Sequence, residues 1–256
     1  MNEKMITQIV DSVDKKAMLK LLDNLVKIPS YKPNETKIAK FLANFFKRRG
    51  YEVDLQELEP GRFQTIATLR GTGNGKSLMY NGHIDMSYVA GNWNRDPWTP
   101  CIEGDRFYGA GTFNMKGGVA SMIAAAETIR KSNTSLKGDL IVACVAGECA
   151  GGEGTVYMLD QGVRADMAIV TEPFGTESVA TVHVGVLNLA IHTYGIGTHI
   201  SNTTGSIDAI EQMEKATKAL RSIKMTHVPR PDLPAMPKLN IGGIIGGRGR
   251  NYNLVD

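Results

Sequence analysis

Apolar positions recur at helical spacing over residues 15–28, where Met18, Leu21, Leu22, Leu25 and Val26 fall on one face and Pro29 closes the segment. A second amphipathic helix follows, with Asn34 as its expected N-cap, Ile38, Phe41, Leu42 and Phe45 as its buried stripe, and Gly50 just past its end. Strands are predicted at 51–58, 63–69 and 77–80, and the glycine-rich stretch 71–75 reads as the turn of a hairpin between the last two. Residues 116–129 return to helical spacing. The run 139–145 is almost wholly apolar, as a central strand requires, and a helix at 154–161 and a strand at 167–170 complete the unit. This alternation predicts an α/β fold in which helices flank a sheet. Beyond Phe174 the grammar changes to longer alternating strands over 179–194, a helix at 207–222 and a strand at 239–245. These predict a second, smaller α+β domain, with residues 1–176 forming the first domain and 177–256 the second.

Composition narrows the function classes. A net charge of +3 with interspersed signs supplies no basic stripe to track a phosphate backbone, and the few aromatic residues offer no stacking platform, so nucleic acid is set aside. The longest apolar stretches, such as 140–146, fall far short of the roughly 20 residues of a membrane helix, and the amphipathic N-terminus is unlike a signal sequence. A cytoplasmic protein is expected. Three cysteines at irregular spacing suit free thiols in a reducing compartment.

Candidate chemistry lies at strand ends. In Gly82-His83-Ile84-Asp85, His83 and Asp85 are two apart and share one side of the strand's carboxyl end. A histidine there either binds a metal, oriented by the carboxylate, or is a buried structural histidine. Gly147-Glu148-Cys149-Ala150-Gly151-Gly152 follows the central strand. Glu148 is read as a general base acting on water or as a helix cap, and Cys149 as a thiolate ligand or a small buried hydrophobe. Glu172, past the next strand, is a third acid at this edge or a solvated loop carboxylate. Gly75-Lys76-Ser77 mimics the end of a phosphate-binding loop, but Arg70 stands where that loop needs its first glycine.

Taken in order, GHIDMSYVAGNWNRDPW, GAGTFNMKGG, GECAGGEGT and TEP resemble the metal-site signature of the acetylornithine deacetylase, succinyl-diaminopimelate desuccinylase, aminoacylase and glutamate carboxypeptidase family. The resemblance continues through Gly185 to Gly195, Thr198-His199 and Gly205 to Ile210, and on to Gly242-Gly243 and residues 251–256. It implies a zinc-peptidase-like mixed sheet flanked by helices, with an α+β lid through which the family dimerises. It implies that His83 and Glu172 bind one metal, that Asp85 orients His83, that Glu148 is the general base, and that His199 stabilises an oxyanion across a homodimer. His183, His192 and His227 receive no role and read as two strand residues and a loop residue.

Two positions depart from the family. Asn114 stands where a bridging aspartate is expected, and Cys149 replaces the carboxylate of the second metal. A neutral amide in place of a bridging carboxylate weakens a two-metal centre, so one zinc or cobalt ion is expected and the second is in doubt. Family members also run on well beyond this length and supply the second metal's last histidine, so a C-terminally truncated chain is expected. The expected function is hydrolysis of a linear amide in a small N-acyl amino acid or peptide. The alternative is a metal-poor relative that serves as a binding or dimerisation module.

Overall fold

Every position from Leu140 to Val145 is apolar, so a strand formed there needs cover on both faces. In the computed structural model, which describes residues 3–89, 91, 93–132, 134–231, 237–247 and 254–255, this segment is a central strand, β6 (Leu140–Val145), buried at all six positions. The sheet runs β1 (Glu52–Glu59), β2 (Arg62–Leu69), β6, β3 (Leu78–His83) and β7 (Met167–Val170) in that order. β1, β2 and β6 pair antiparallel, and β3 pairs parallel with both β6 and β7.

Alternation along β6 assigns its two faces. Leu140, Val142 and Cys144 join the larger core with Leu25 and Val26 of α2 (Lys15–Val26), Ile38, Leu42 and Phe46 of α3 (Thr36–Lys47), and Ile123 and Ala126 of α4 (Gly117–Lys131). Ile141, Ala143 and Val145 pack on the opposite side with Ile66, Met79 and Met158 of α5 (Glu153–Asp160). Helices thus cover both faces of a mixed sheet, as the alternation predicts. The chain leaves β3 through α4 to reach β6 and leaves β6 through α5 to reach β7. The carboxyl ends of three parallel strands therefore meet at one edge, where open α/β sheets gather their ligands.

The structure corrects several local expectations. The hairpin expected around 71–75 is not formed, because β6 lies between β2 and β3 and pairs with both. Residues 71–75 instead pass the start of β6, where the Thr72 and Asn74 N–H groups donate to the Leu136 and Lys137 carbonyls. Asn34 does not cap α3. It closes a turn onto Tyr31, and the residue before the helix is Glu35, whose carboxylate is committed to Arg62 instead. Two features lie outside the elements expected from sequence: α1 (Glu3–Asp11), and a small hairpin of β4 (Cys101–Glu103) with β5 (Arg106–Tyr108).

Contacts divide the chain into Met1–Ser178 and Val179–Asp256. The second unit contains α6 (Ala209–Ser222), capped by Asp208 Oδ1, which accepts from the Ile210 and Glu211 N–H groups, and the short pair β8 (Thr198–His199) with β9 (Leu254–Val255). The strands expected over 179–194 and 239–245 are not formed. Their alternation is real, but Val179, Leu187 and Leu189 stay exposed, because among the described residues no neighbouring strand pairs with this stretch. His183 and His192 accordingly lie outside strands. Of the family-like segment 251–256, residues 251–253 and 256 lie outside the described residues. Among the described residues no helix is long and apolar enough to cross a membrane.

Phe46 is fully buried, with its ring edge-on to Tyr51 at 5.1 Å between centroids. Phe46→Ala is expected to cost about 3–5 kcal/mol of stability, read as a lower urea midpoint with an unchanged denaturant slope.

Candidate metal centre

Parallel pairing sets the site. β3 and β6 are in register with Gly82 opposite Cys144 and His83 opposite Val145, and the Ile84 N–H extends the ladder to the Val145 carbonyl at 2.8 Å. His83-Ile84-Asp85 and Gly147-Glu148-Cys149 therefore emerge side by side. His83 and Asp85 are both buried, and Asp85 turns beneath the neighbouring loop. Its Oδ1 accepts from the Glu148 N–H at 3.1 Å and its Oδ2 from the Cys149 N–H at 3.0 Å. Those N–H groups open a short 3-10 turn, Glu148–Ala150, and would otherwise lack partners. Asp85 is thus an N-cap supplied from another strand.

The imidazole of His83 is held from both sides. Nδ1 lies 2.9 Å from the Asp85 carbonyl and 3.4 Å from the Asp85 carboxylate. Nε2 lies 2.7 Å from Asn114 Oδ1, 3.5 Å from Glu172 Oε1 and 3.7 Å from Glu148 Oε2. Burial by itself would depress the histidine, but the hydrogen bond and charge of Asp85, with Asn114 and Glu172, outweigh it and raise the group to about 9. Asp85 has the reverse balance: burial would raise it, and His83 with the two backbone N–H groups holds it below the usual carboxylate range. Glu172 is pushed up, first by burial and then by the charges of Glu148 and Asp85, against the pull of His83.

Asn114 comes from the turn Thr112–Lys116, which precedes α4 and is anchored by Lys116. The buried Lys116 Nζ donates to the Leu25 and Ile28 carbonyls at 2.9 and 2.7 Å, binding the turn to the end of α2. Burial lowers this amine to about 7. The sequence reading missed Lys116, although a lysine flanked by Met115 and a Gly-Gly pair at a helix start was a visible signal.

Two donor groups share His83 among the described residues: His83 with Glu148 and Glu172, and His83 with Asp85 and Cys149, each with ligand atoms within 4.8 Å of one another. Zinc lies about 2.0–2.2 Å from nitrogen and oxygen ligands, which spaces two tetrahedral ligands about 3.3–3.6 Å apart. The Nε2 separation of 3.5 Å from Glu172 falls within that spacing, and Glu148 at 3.7 Å stands just beyond it. The second group is poorly suited to a second ion. Both Asp85 oxygens already serve backbone N–H groups, and in the metal-free chain burial and the facing Asp85 carboxylate push the Cys149 thiol up, so a second ion there would have to displace its proton. Cys149 thus stands with Asp85, and Asn114 stands at Nε2. His199 belongs to the other unit. Its Nδ1 lies 2.8 Å from the Ser201 hydroxyl oxygen and 3.2 Å from the Ser201 backbone nitrogen, so Ser201 holds that side of the ring.

The raised His83 carries a pH signature in the metal-free protein. A group elevated from 6.5 to about 9 contributes stability that is complete below 6.5 and lost as pH rises through 9. Unfolding free energy of the chelated protein is expected to fall by about 3 kcal/mol across that window, and Asp85→Asn to abolish most of the slope. Urea titrations at a series of pH values would measure both.

The chain matches the model of the peptidase family M20/M25/M40 over residues 79–242. It is 31% identical over 228 residues to the acetylornithine deacetylase of Aliivibrio salmonicida, covering 87% of this chain and 59% of that protein. It is 29% identical over 225 residues to the N-formyl-4-amino-5-aminomethyl-2-methylpyrimidine deformylase of Bacillus subtilis, covering 82% of this chain and 53% of that protein. Among solved structures, a tripeptidase from Staphylococcus aureus superposes with a TM-score of 0.60 at 20% identity over 95% of this chain and 64% of its own. Human carnosine dipeptidase 1 superposes at 0.56 with 19% identity over 85% of this chain and 52% of its own, and both likenesses speak to the fold. The chain thus spans between half and two thirds of the length of these relatives. With the signature residues gathered at one sheet edge and the family model matching well over half of its length, the chain belongs to the peptidase family M20/M25/M40.

Proposed function

We propose that this chain carries the metal site of a hydrolase that cleaves a linear amide bond in a small N-acyl amino acid or peptide, with Glu148 as the general base. The observation that carries the reading is the convergence of Glu148 and Glu172 on His83 Nε2 at 3.7 and 3.5 Å. The relatives' names point the same way, since a deformylase, a deacetylase and peptidases all hydrolyse carbonyl–nitrogen bonds.

In this reading His83 and Glu172 hold one zinc or cobalt ion, with the neutral Asn114 oxygen beside them. Bound there, the ion supplies the Lewis acidity that makes water acidic near neutral pH and polarises a carbonyl. Asp85 keeps the imidazole in place and its Nδ1 proton engaged, leaving Nε2 for the ion. Glu148 is half exposed, on the open side of the cluster, where its carboxylate takes the proton from the attacking water and returns it to the leaving nitrogen. His199, with its Nδ1 side engaged by Ser201, is the donor we assign to the developing oxyanion, supplied across a dimer of the second unit. Cys149 and Asn114 are candidate ligands for a second ion that we expect to bind weakly or not at all.

Glu148→Gln should lower turnover of N-formyl and N-acetyl amino acids by about 10²–10⁴-fold while elemental analysis still finds the wild-type zinc content. Zinc lost along with activity would make Glu148 a ligand rather than the base. Asn114→Asp restores a charged bridging carboxylate and is expected to raise the bound zinc per chain above the wild-type value; an unchanged stoichiometry would mean that Asn114 does not limit occupancy.

A further inference from the structure

The loop carrying Glu148 leaves β6 at Ala146 and enters α5 at Glu153, and two buried side chains of β2 hold its ends. Gln64 Oε1 accepts from the Ala146 N–H at 3.2 Å, and its Nε2 donates to the Gly154 carbonyl at 3.0 Å and to Gln56 Oε1 at 2.8 Å. One amide thereby joins the residue before the loop to a residue after it. Arg62, two positions away and so on the same face of β2, is buried despite its charge. Its Nε and Nη2 donate to the two oxygens of the buried Glu35 at 3.1 and 2.8 Å, and its Nη1 donates to Glu153 Oε2 at 2.8 Å and to Glu59 at 3.3 Å. The other oxygen of Glu153 pairs with Lys32.

The loop is glycine where these groups press on it. A Cβ on Gly147, whose φ is +71°, would stand 2.7 Å from Arg62 Nη2 and 2.8 Å from Glu153 Oε2. A Cβ on Gly154 would stand 2.3 Å from Gln64 Oε1 and from the Ala146 carbonyl. Gly151 and Gly152 lie between them in left-handed conformations, so the segment has much backbone freedom to lose. A charged side chain at a core position is costly unless something requires it. Here its guanidinium lies directly against the residue preceding Glu148.

We propose that Arg62 and Gln64 are positioning residues that set where the Glu148 carboxylate stands relative to His83, acting through the loop and not on the substrate. The inference rests on the reading of Glu148 as general base. Cys149 reports on the same loop independently of that reading, because it follows Glu148 directly and its N–H donates to Asp85 at 3.0 Å.

The test avoids variants that leave Glu35 buried without a partner. Arg62→Lys keeps a charge for Glu35 but loses the fork that also reaches Glu153. Glu153→Gln leaves the Arg62–Glu35 pair whole. In the zinc-loaded protein both are expected to lower kcat toward N-acetyl amino acids by about 10²-fold, the effect of displacing a catalytic group by roughly 1 Å, with KM and zinc content unchanged. Both should also change the rate of Cys149 alkylation by iodoacetamide several-fold, read peptide by peptide in a mass spectrometer, while the buried Cys144 stays protected and the melting temperature holds. Unaltered kcat and Cys149 alkylation in both variants would overturn the proposal, as would changes that merely track a lost melting temperature. Should the wild-type chain bind zinc yet hydrolyse no acyl amino acid while Cys149 alkylation still responds, the clamp stands and the hydrolase reading fails.

Discussion

The parallel pairing of β3 with β6 is the constraint from which the site follows. With Gly82 opposite Cys144 and His83 opposite Val145, a one-residue slip would turn His83 and Asp85 to the other face and separate Asp85 from the Glu148 and Cys149 N–H groups. The register is secured where no site residue takes part. Leu140, Val142 and Cys144 must face α2, α3 and α4, and Ile141, Ala143 and Val145 must face α5, so both faces of β6 specify the same alignment. The core therefore positions the chemistry.

Asp85 converts that alignment into a charged centre. It accepts two backbone N–H groups from one strand's loop and supports the imidazole of the next, so a single buried carboxylate binds both halves of the site. In doing so it raises His83 to about 9, and a metal must displace the proton that Asp85 helps to hold. The same contact that orients the ligand therefore tunes its availability. Asn114 acts in the same direction: at 2.7 Å from Nε2, its amide oxygen accepts the proton on Nε2 without adding the charge a second dication needs.

Much of this arrangement was legible because the signals were local. His83, Asp85, Glu148 and Glu172 each follow a recognisable strand, and the common edge follows from α/β alternation alone. The errors arose where pairing is decided at a distance. Residues 63–69 and 77–80 are sequence neighbours with a glycine-rich link, yet β6, more than fifty residues further on, takes the place between them. The alternation over 179–194 predicts strands, but alternation supplies only a face, and a ladder also needs a partner's N–H and carbonyl groups. Glu35 was passed over in favour of Asn34 because its role lies with Arg62, twenty-seven residues away. Arg62 was overlooked for the same reason, although an arginine heading a strand with a buried stretch is the kind of local inconsistency that marks a working part.

Three carboxylates approach one imidazole, and their surroundings divide the work among them. Asp85 is fully buried and saturated with donors, so it is an anion committed to structure. Glu172, partly buried among negative neighbours, is raised, and a cation arriving at His83 would favour its charged form. Glu148 has its backbone tied to Asp85 and its side chain half in solvent, which is the setting the proposed general base needs. Their distinct burial, more than their common chemistry, is what the proposed division of roles at this sheet edge rests on.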